Sequence, residues 1–112
     1  MKVPPTEREK KRFIAFKIIG ERKNFKKREV LLEVRRACLR LLGELGTSKT
    51  SLWLIDYKEG LGIVRCNTRS VDEVMCSLST IIQLNKKNVR VEILGVFGTL
   101  RTLKGFLNGI HR

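Results

Sequence analysis

The stretch TSLWLIDYKEGLGIVRC, residues 50–66, decides the fold. Two runs rich in β-branched and aromatic side chains, 50–57 and 62–66, flank Lys58, Glu59, Gly60 and Leu61. A glycine between two such runs marks a tight hairpin, so the middle of the chain is predicted to form two antiparallel strands. Downstream, Ser70-Val71-Asp72-Glu73 has the S-x-x-E spacing of a capping box, which starts a helix. Val71, Val74, Met75, Leu78, Ile81 and Ile82 would form its buried stripe. Residues 85–88 read as a turn. Residues 89–96 read as a further strand with Val89, Val91 and Ile93 on one face. Residues 98–107 suit a short terminal helix, weakened by Gly105.

Upstream, residues 12–19 carry Phe13, Ile14, Phe16, Ile18 and Ile19 and read as a strand. Residues 26–45 place Val30, Leu31, Val34, Cys38, Leu41, Leu42 and Leu45 at helical steps, with Gly46 positioned as a C-cap. Residues 1–11 read as a flexible basic arm before a single domain, 12–112. The order is then β-α-β-β-α-β plus a helix. It predicts an α/β (α+β) two-layer sandwich, ferredoxin-like or RRM-like. Its antiparallel sheet has four strands, with the first and third central and the fourth beside the first.

Charge comes next. The chain carries 24 Lys and Arg against 11 Asp and Glu, a net +13, over 112 residues. Residues 1–28 hold +8, residues 29–84 are neutral, and residues 85–112 hold +5. The fold pairs the strands that carry the two basic ends, so both excesses are expected on one side of the sheet. A segregated basic surface attracts a polyanion, and nucleic acid is the commonest one. No apolar run approaches the roughly 20 residues of a bilayer span. The charged N-terminus, with Pro4 and Pro5, is followed by no signal-peptide core. Three cysteines without CxxC spacing favour reduced thiols and a cytoplasmic setting.

RNA-binding domains of this topology stack bases on aromatics of the third strand, within K/R-G-F/Y-G/A-F-V-x-F/Y. Here Glu59-Gly60-Leu61-Gly62-Ile63-Val64-Arg65-Cys66 keeps the glycine frame, but Leu61, Ile63 and Cys66 replace the aromatics. Aliphatic side chains offer no π-face, so RNA contact should be electrostatic. The open sheet face mixes apolar residues with Arg65, Arg90 and Glu92, so the terminal helix or another subunit should cover part of it. Trp53 is either an anchor of such an interface or a core residue. Lys49, Arg65, Arg69, Arg101 and Lys104 flank glycine-rich or hydroxyl-rich turns, and Arg12 heads the first strand. These six are the candidate RNA contacts.

A catalytic or metal site is not expected on the isolated chain. His111, the single histidine, is penultimate, and Ser48, Thr50 and Ser51 have no nearby base in the sequence. The sequence lacks zinc spacing, a P-loop and GxGxxG. The first strand-helix loop, Gly20 to Asn24, lacks the glycine-rich cradle of the small phosphohydrolases that share this topology. The remaining alternatives are another ribonucleoprotein component, ribosomal or RNA-chaperone, and a protein-interaction module that binds no RNA.

Four stretches carry a family resemblance. They are Arg12-Phe13-Ile14-Ala15-Phe16; Gly46-Thr47-Ser48-Lys49 leading into Leu52-Trp53-Leu54-Ile55; Gly62-Ile63-Val64-Arg65-Cys66 running to Ser70-Val71-Asp72-Glu73; and Leu94-Gly95-Val96-Phe97-Gly98-Thr99-Leu100. In this order they resemble the protein component 2 family of archaeal ribonuclease P, related to small subunits of the eukaryotic enzyme. Phe97 departs from it, since the family often has a small residue there. The resemblance implies an RNA-recognition-like sandwich in a ribonucleoprotein that removes the 5′ leader of precursor tRNA. The RNA subunit would perform the Mg²⁺-assisted hydrolysis, and the protein would bind no cofactor itself. Implied partners are ribonuclease P RNA, precursor tRNA, protein component 3 and a second copy of component 2, with no membrane. By carry-over, Lys49, Arg65, Arg69 and Arg101 lie near RNA.

Overall fold

The computed structural model describes residues 10–110. The elements are β1 (Lys11–Gly20), α1 (Lys27–Thr50), β2 (Trp53–Lys58), β3 (Leu61–Asn67), a 3₁₀ turn (Thr68–Ser70), α2 (Val71–Ser79), β4 (Gln83–Leu84), β5 (Lys87–Phe97) and α3 (Leu100–Ile110). Sheet order is β2-β3-β1-β5-β4, with every neighbouring pair antiparallel. The expected central pair and the strand beside β1 are both found. The sheet has five strands, however, where four were expected. Asn85 and Lys86 take φ of 50° and 66°, the left-handed pair of a two-residue hairpin turn. That tight turn, two residues long where 85–88 was expected, pairs Gln83 with Asn88 and Leu84 with Lys87 and adds the short strand β4.

The β2–β3 hairpin turns on Glu59 (φ 48°) and Gly60 (φ 92°), the same two-residue geometry. Gly62 has a different reason. It lies opposite Phe16 in the ladder, and the Phe16 ring covers the place where a Cβ would be. The glycine frame therefore serves a turn and a core ring, with no need of an RNA base.

α1 and α2 pack on one sheet face. Ile14, Phe16 and Ile18 of β1 meet Leu54, Val64 and Cys66 of the neighbouring strands, and Val30, Val34, Ala37, Cys38, Val74 and Leu78 from the helices. The α1 stripe does not run as far as its sequence periodicity. Gly43 (φ 74°, ψ 177°) kinks the helix, which resumes and ends at Ser51 (φ 52°), beyond the expected Gly46 cap. A stripe projected along one straight helix loses its phase there, and Leu45 beyond the kink is 71% exposed; Leu41, before it, already lies off the buried face at 50%. Thr50 closes the last turn instead of opening a strand. Its hydroxyl donates to the Thr47 carbonyl (2.7 Å) and accepts from the Leu52 N–H (3.2 Å).

The capping box also fails. Ser70 precedes α2 as expected, but it ends a 3₁₀ turn with φ −103° and ψ 3°, and its side chain caps nothing. A capping hydroxyl needs an extended N-cap backbone, which that turn denies it. α2 stops at Ser79, so Ile82 falls outside it and is exposed, while Ile81 is buried.

α3 covers the opposite sheet face, adding a partial third layer to the expected two. Ala15 faces that side and is fully buried, as is Leu103. The rings of Phe97 and Phe106 lie 5.1 Å apart and tie helix to sheet. Gly105 is accommodated within α3.

Candidate nucleic-acid interface

β1 begins beside the end of β3 and the end of β5, since Lys11 is opposite Asn67 and Phe13 is opposite Phe97. Lys11 is thus part of the sheet and not of an arm; residues 1–9 of the expected arm lie outside the described residues. Asn67, 2% exposed, organises this corner. Its Nδ2 donates to the Lys49 carbonyl (2.7 Å) and to Ser51 Oγ (3.3 Å), and its Oδ1 accepts from Lys11 Nζ. The Lys10 carbonyl accepts from both the N–H and the hydroxyl of Thr68, at 2.9 and 3.0 Å. The end of α1, the start of β1 and the turn before α2 are therefore tied together by one buried amide and one strand end. Sequence reading singled out neither Asn67 nor Thr68. A polar residue closing the apolar 61–66 run was the available signal.

This corner gathers Lys49, Arg69 and, at the head of β1, Arg12. The Arg12 guanidinium donates to the Lys11 carbonyl at 3.0 Å. Lys49, Asn67, Arg69, Ser70 and Glu73 line an open depression of about 550 Å³ with Ser48 and Ser51. Arg65 is elsewhere. It faces the α3 side, in a cross-strand row of Trp53, Arg65, Phe13 and Phe97. It is half-buried, and its Nε has no partner among the described residues. Trp53 in that row is 45% exposed, with the Arg35 guanidinium 6.0 Å from its ring. Of the two readings left open for Trp53, burial in the core is excluded. Arg101 and Lys104 are exposed on α3, where Lys104 flanks a groove over Leu61 and Ile63. The six candidates therefore occupy both faces of the sheet and do not form one cluster.

The expectation of one fused basic side is corrected in the same way. Lys10, Lys11, Arg12 and Arg101 collect where β1 begins and β5 ends. Arg22, Lys23, Lys26 and Lys27 collect with Lys86 and Lys87 where β1 ends and β5 begins. Because the strands are antiparallel, each pole draws on both ends of the chain. A ten-residue strand at about 3.3 Å per residue keeps the poles roughly 30 Å apart.

The two buried thiols, Cys38 and Cys66, are poor nucleophiles. Burial, with Cys38 alongside, pushes the Cys66 thiol up to about 11 against the pull of Lys11. Burial likewise raises Cys38, partly offset by a hydrogen bond with Ser77. A thiol held protonated is unreactive. Burial raises Tyr57 too, and its hydroxyl donates to the Lys23 carbonyl at 2.6 Å. Among the described residues no group of three or more His, Cys, Asp or Glu could hold a metal ion, and no helix is long and apolar enough to cross a membrane.

These features define a class: a small, strongly basic α/β sandwich with cationic surfaces at both ends of its sheet and inert buried thiols. Within that class, the chain belongs to the Rpp14/Pop5 family, whose family model matches residues 12–108. It is 45% identical over 104 residues to ribonuclease P protein component 2 of Pyrococcus furiosus, covering 91% of this chain and 86% of the relative. It is 44% identical over 110 residues to the component 2 protein of Methanocaldococcus jannaschii, covering 98% and 81%. A chain in the cryo-electron-microscopy structure of yeast ribonuclease MRP superposes with a TM-score of 0.69 over 92% of each chain. At 15% identity that likeness is one of fold.

Proposed function

We propose that this chain is a protein subunit of ribonuclease P, the ribonucleoprotein that removes the 5′ leader of precursor tRNA. The observation that carries the reading is the match to archaeal component 2 proteins at 38–45% identity over most of the chain. The physical chemistry agrees with it. Cationic surfaces at both ends of a rigid sheet suit a partner whose phosphates run across the whole protein, and fixed Lys and Arg neutralise them where RNA strands crowd.

In this reading the RNA subunit holds the Mg²⁺ and performs the hydrolysis, and the isolated chain turns over no substrate. Protein component 3 pairs with the chain, a second copy associates with it in the assembled particle, and the complex works in the cytoplasm. Arg12, Lys49, Arg65, Arg69, Arg101 and Lys104 supply phosphate contacts, and the exposed Trp53 supplies a protein contact.

The test is precursor-tRNA cleavage by the cognate ribonuclease P RNA at limiting Mg²⁺, with and without this chain and component 3. Stimulation that needs this chain supports the proposal over a ribosomal or chaperone role. Unchanged cleavage, together with no affinity for the RNA at low salt, overturns it.

A further inference from the structure

We infer that the depression between the end of α1 and the start of α2 is a seat for a single RNA backbone phosphate, held by Lys49, Arg69 and the Ser70 hydroxyl. The inference rests on the ribonuclease P reading above and specifies one contact within it. Three independent features converge there. Lys49 and Arg69 come from different elements, line the same depression, and engage no carboxylate among the described residues. Buried Asn67 holds the backbone beneath Lys49, so the two cations are brought together by the fold and not by chance side-chain positions.

The second feature is the start of α2. A helix start carries partial positive charge that favours an anion. Here the Val71 N–H already donates to the Thr68 carbonyl while Asp72 and Glu73 stand in the first turn, so the dipole supplies the smaller share of the attraction. The third is Ser70. It is 7% exposed, lines the depression, and its hydroxyl has no hydrogen-bond partner among the described residues. The hydroxyl oxygen is not sealed from solvent, so it can exchange a water for another acceptor. A phosphate oxygen in the depression would accept from it. The abandoned capping geometry described above is what leaves this hydroxyl available.

Glu73 lines the same depression and opposes an anion there. Two cations against one acid leave the seat with a net positive charge.

Binding of fluorescently labelled ribonuclease P RNA to the full chain, titrated across salt concentrations, tests the seat. If Lys49 and Arg69 share one phosphate, K49A/R69A flattens log K against log salt by about 0.7 to 0.9 once, not twice. Ser70→Ala weakens binding with the slope unchanged, because it removes a neutral donor, and Ser70→Thr restores it. Glu73→Gln tightens binding. Wild-type affinity for Ser70→Ala, or a slope loss of two phosphates in the double variant, overturns the seat. If those results come from a chain that still stimulates precursor-tRNA cleavage, the subunit reading stands and only the seat falls. A wild-type chain that neither binds the transcript nor stimulates cleavage overturns both.

Discussion

Gly62→Ala puts one methyl group into the most crowded part of the core. The added Cβ would lie 2.6 and 2.7 Å from Cε1 and Cε2 of Phe16, and closer still to Cζ. Real Cβ atoms essentially never approach other heavy atoms inside 3.0 Å. The Phe16 ring is fully buried between β1 and the helices, so it has no free space to swing into. Overpacking of this kind costs about 1–3 kcal/mol. Alanine also reduces the freedom of the unfolded chain, which returns about 0.4–1 kcal/mol. A net loss of about 1–2 kcal/mol is expected, or a fall in Tm of roughly 4 °C or more per kcal/mol for a domain of this size. Urea unfolding should show a lower midpoint with an unchanged slope. Phe16→Leu alone should also destabilise, by removing core volume. Combined with Gly62→Ala it should cost less than the sum of the two, with a coupling of about 1 kcal/mol, because the methyl then fills part of the vacated space. A Gly62→Ala protein that melts like wild type, or a strictly additive double variant, would refute the steric account of this glycine.

Three further outcomes follow from the same structure. Asn67→Ala should lower stability by about 2 kcal/mol, since it removes one buried group and strands its partners; calorimetry measures the loss, and faster amide exchange over residues 47–51 locates it. Stability should decline in alkali through Cys66. Its folded value of about 11 lies above the ordinary 9.0, so the unfolded chain releases the proton first. The contribution is whole below pH 9 and is lost as pH rises through 11. Cys66→Ala should flatten that part of a Tm–pH profile, and a profile as steep as wild type would reject the assignment. Phe106→Ala should release α3 by removing the pair with Phe97, worth about 0.5–1.5 kcal/mol beyond buried area. Faster exchange confined to residues 100–110 checks it.

Where local chemistry governs an element, it was legible in advance. β1 and β5 followed from their apolar residues, the β2–β3 hairpin from Gly60, and the start of α2 from the Ser70–Glu73 spacing, each within a few residues. Misreadings arose where one local pattern served two purposes. Gly43 and Gly46 are both plausible helix terminators, and neither ends the helix; the first bends it. Ser70 and Glu73 have capping-box spacing, but the preceding 3₁₀ turn gives Ser70 the wrong backbone angles. The turn read over 85–88 closes in two residues, Asn85-Lys86, because Asn readily takes the left-handed angles of a two-residue turn. In the candidate interface, Lys49 and Arg69 were named in advance and lie together. Arg65, Arg101 and Lys104 were named with them and lie across the sheet.

From sequence alone came the alternation of strands and helices, the excess of positive charge, the want of a catalytic set in the residue pattern, and the family. These depend on residue type and spacing along the chain, which the sequence records directly. Which cations become neighbours depends on strand register, on the direction in which β1 and β5 run past each other, and on the face each side chain takes. Those are settled by contacts between segments distant in the chain, such as the β1–β5 ladder, Phe16 over Gly62, and the hydrogen bonds of Asn67 to Lys11 and Lys49. One basic patch became two poles for that reason, since antiparallel pairing places the start of one strand beside the end of the other.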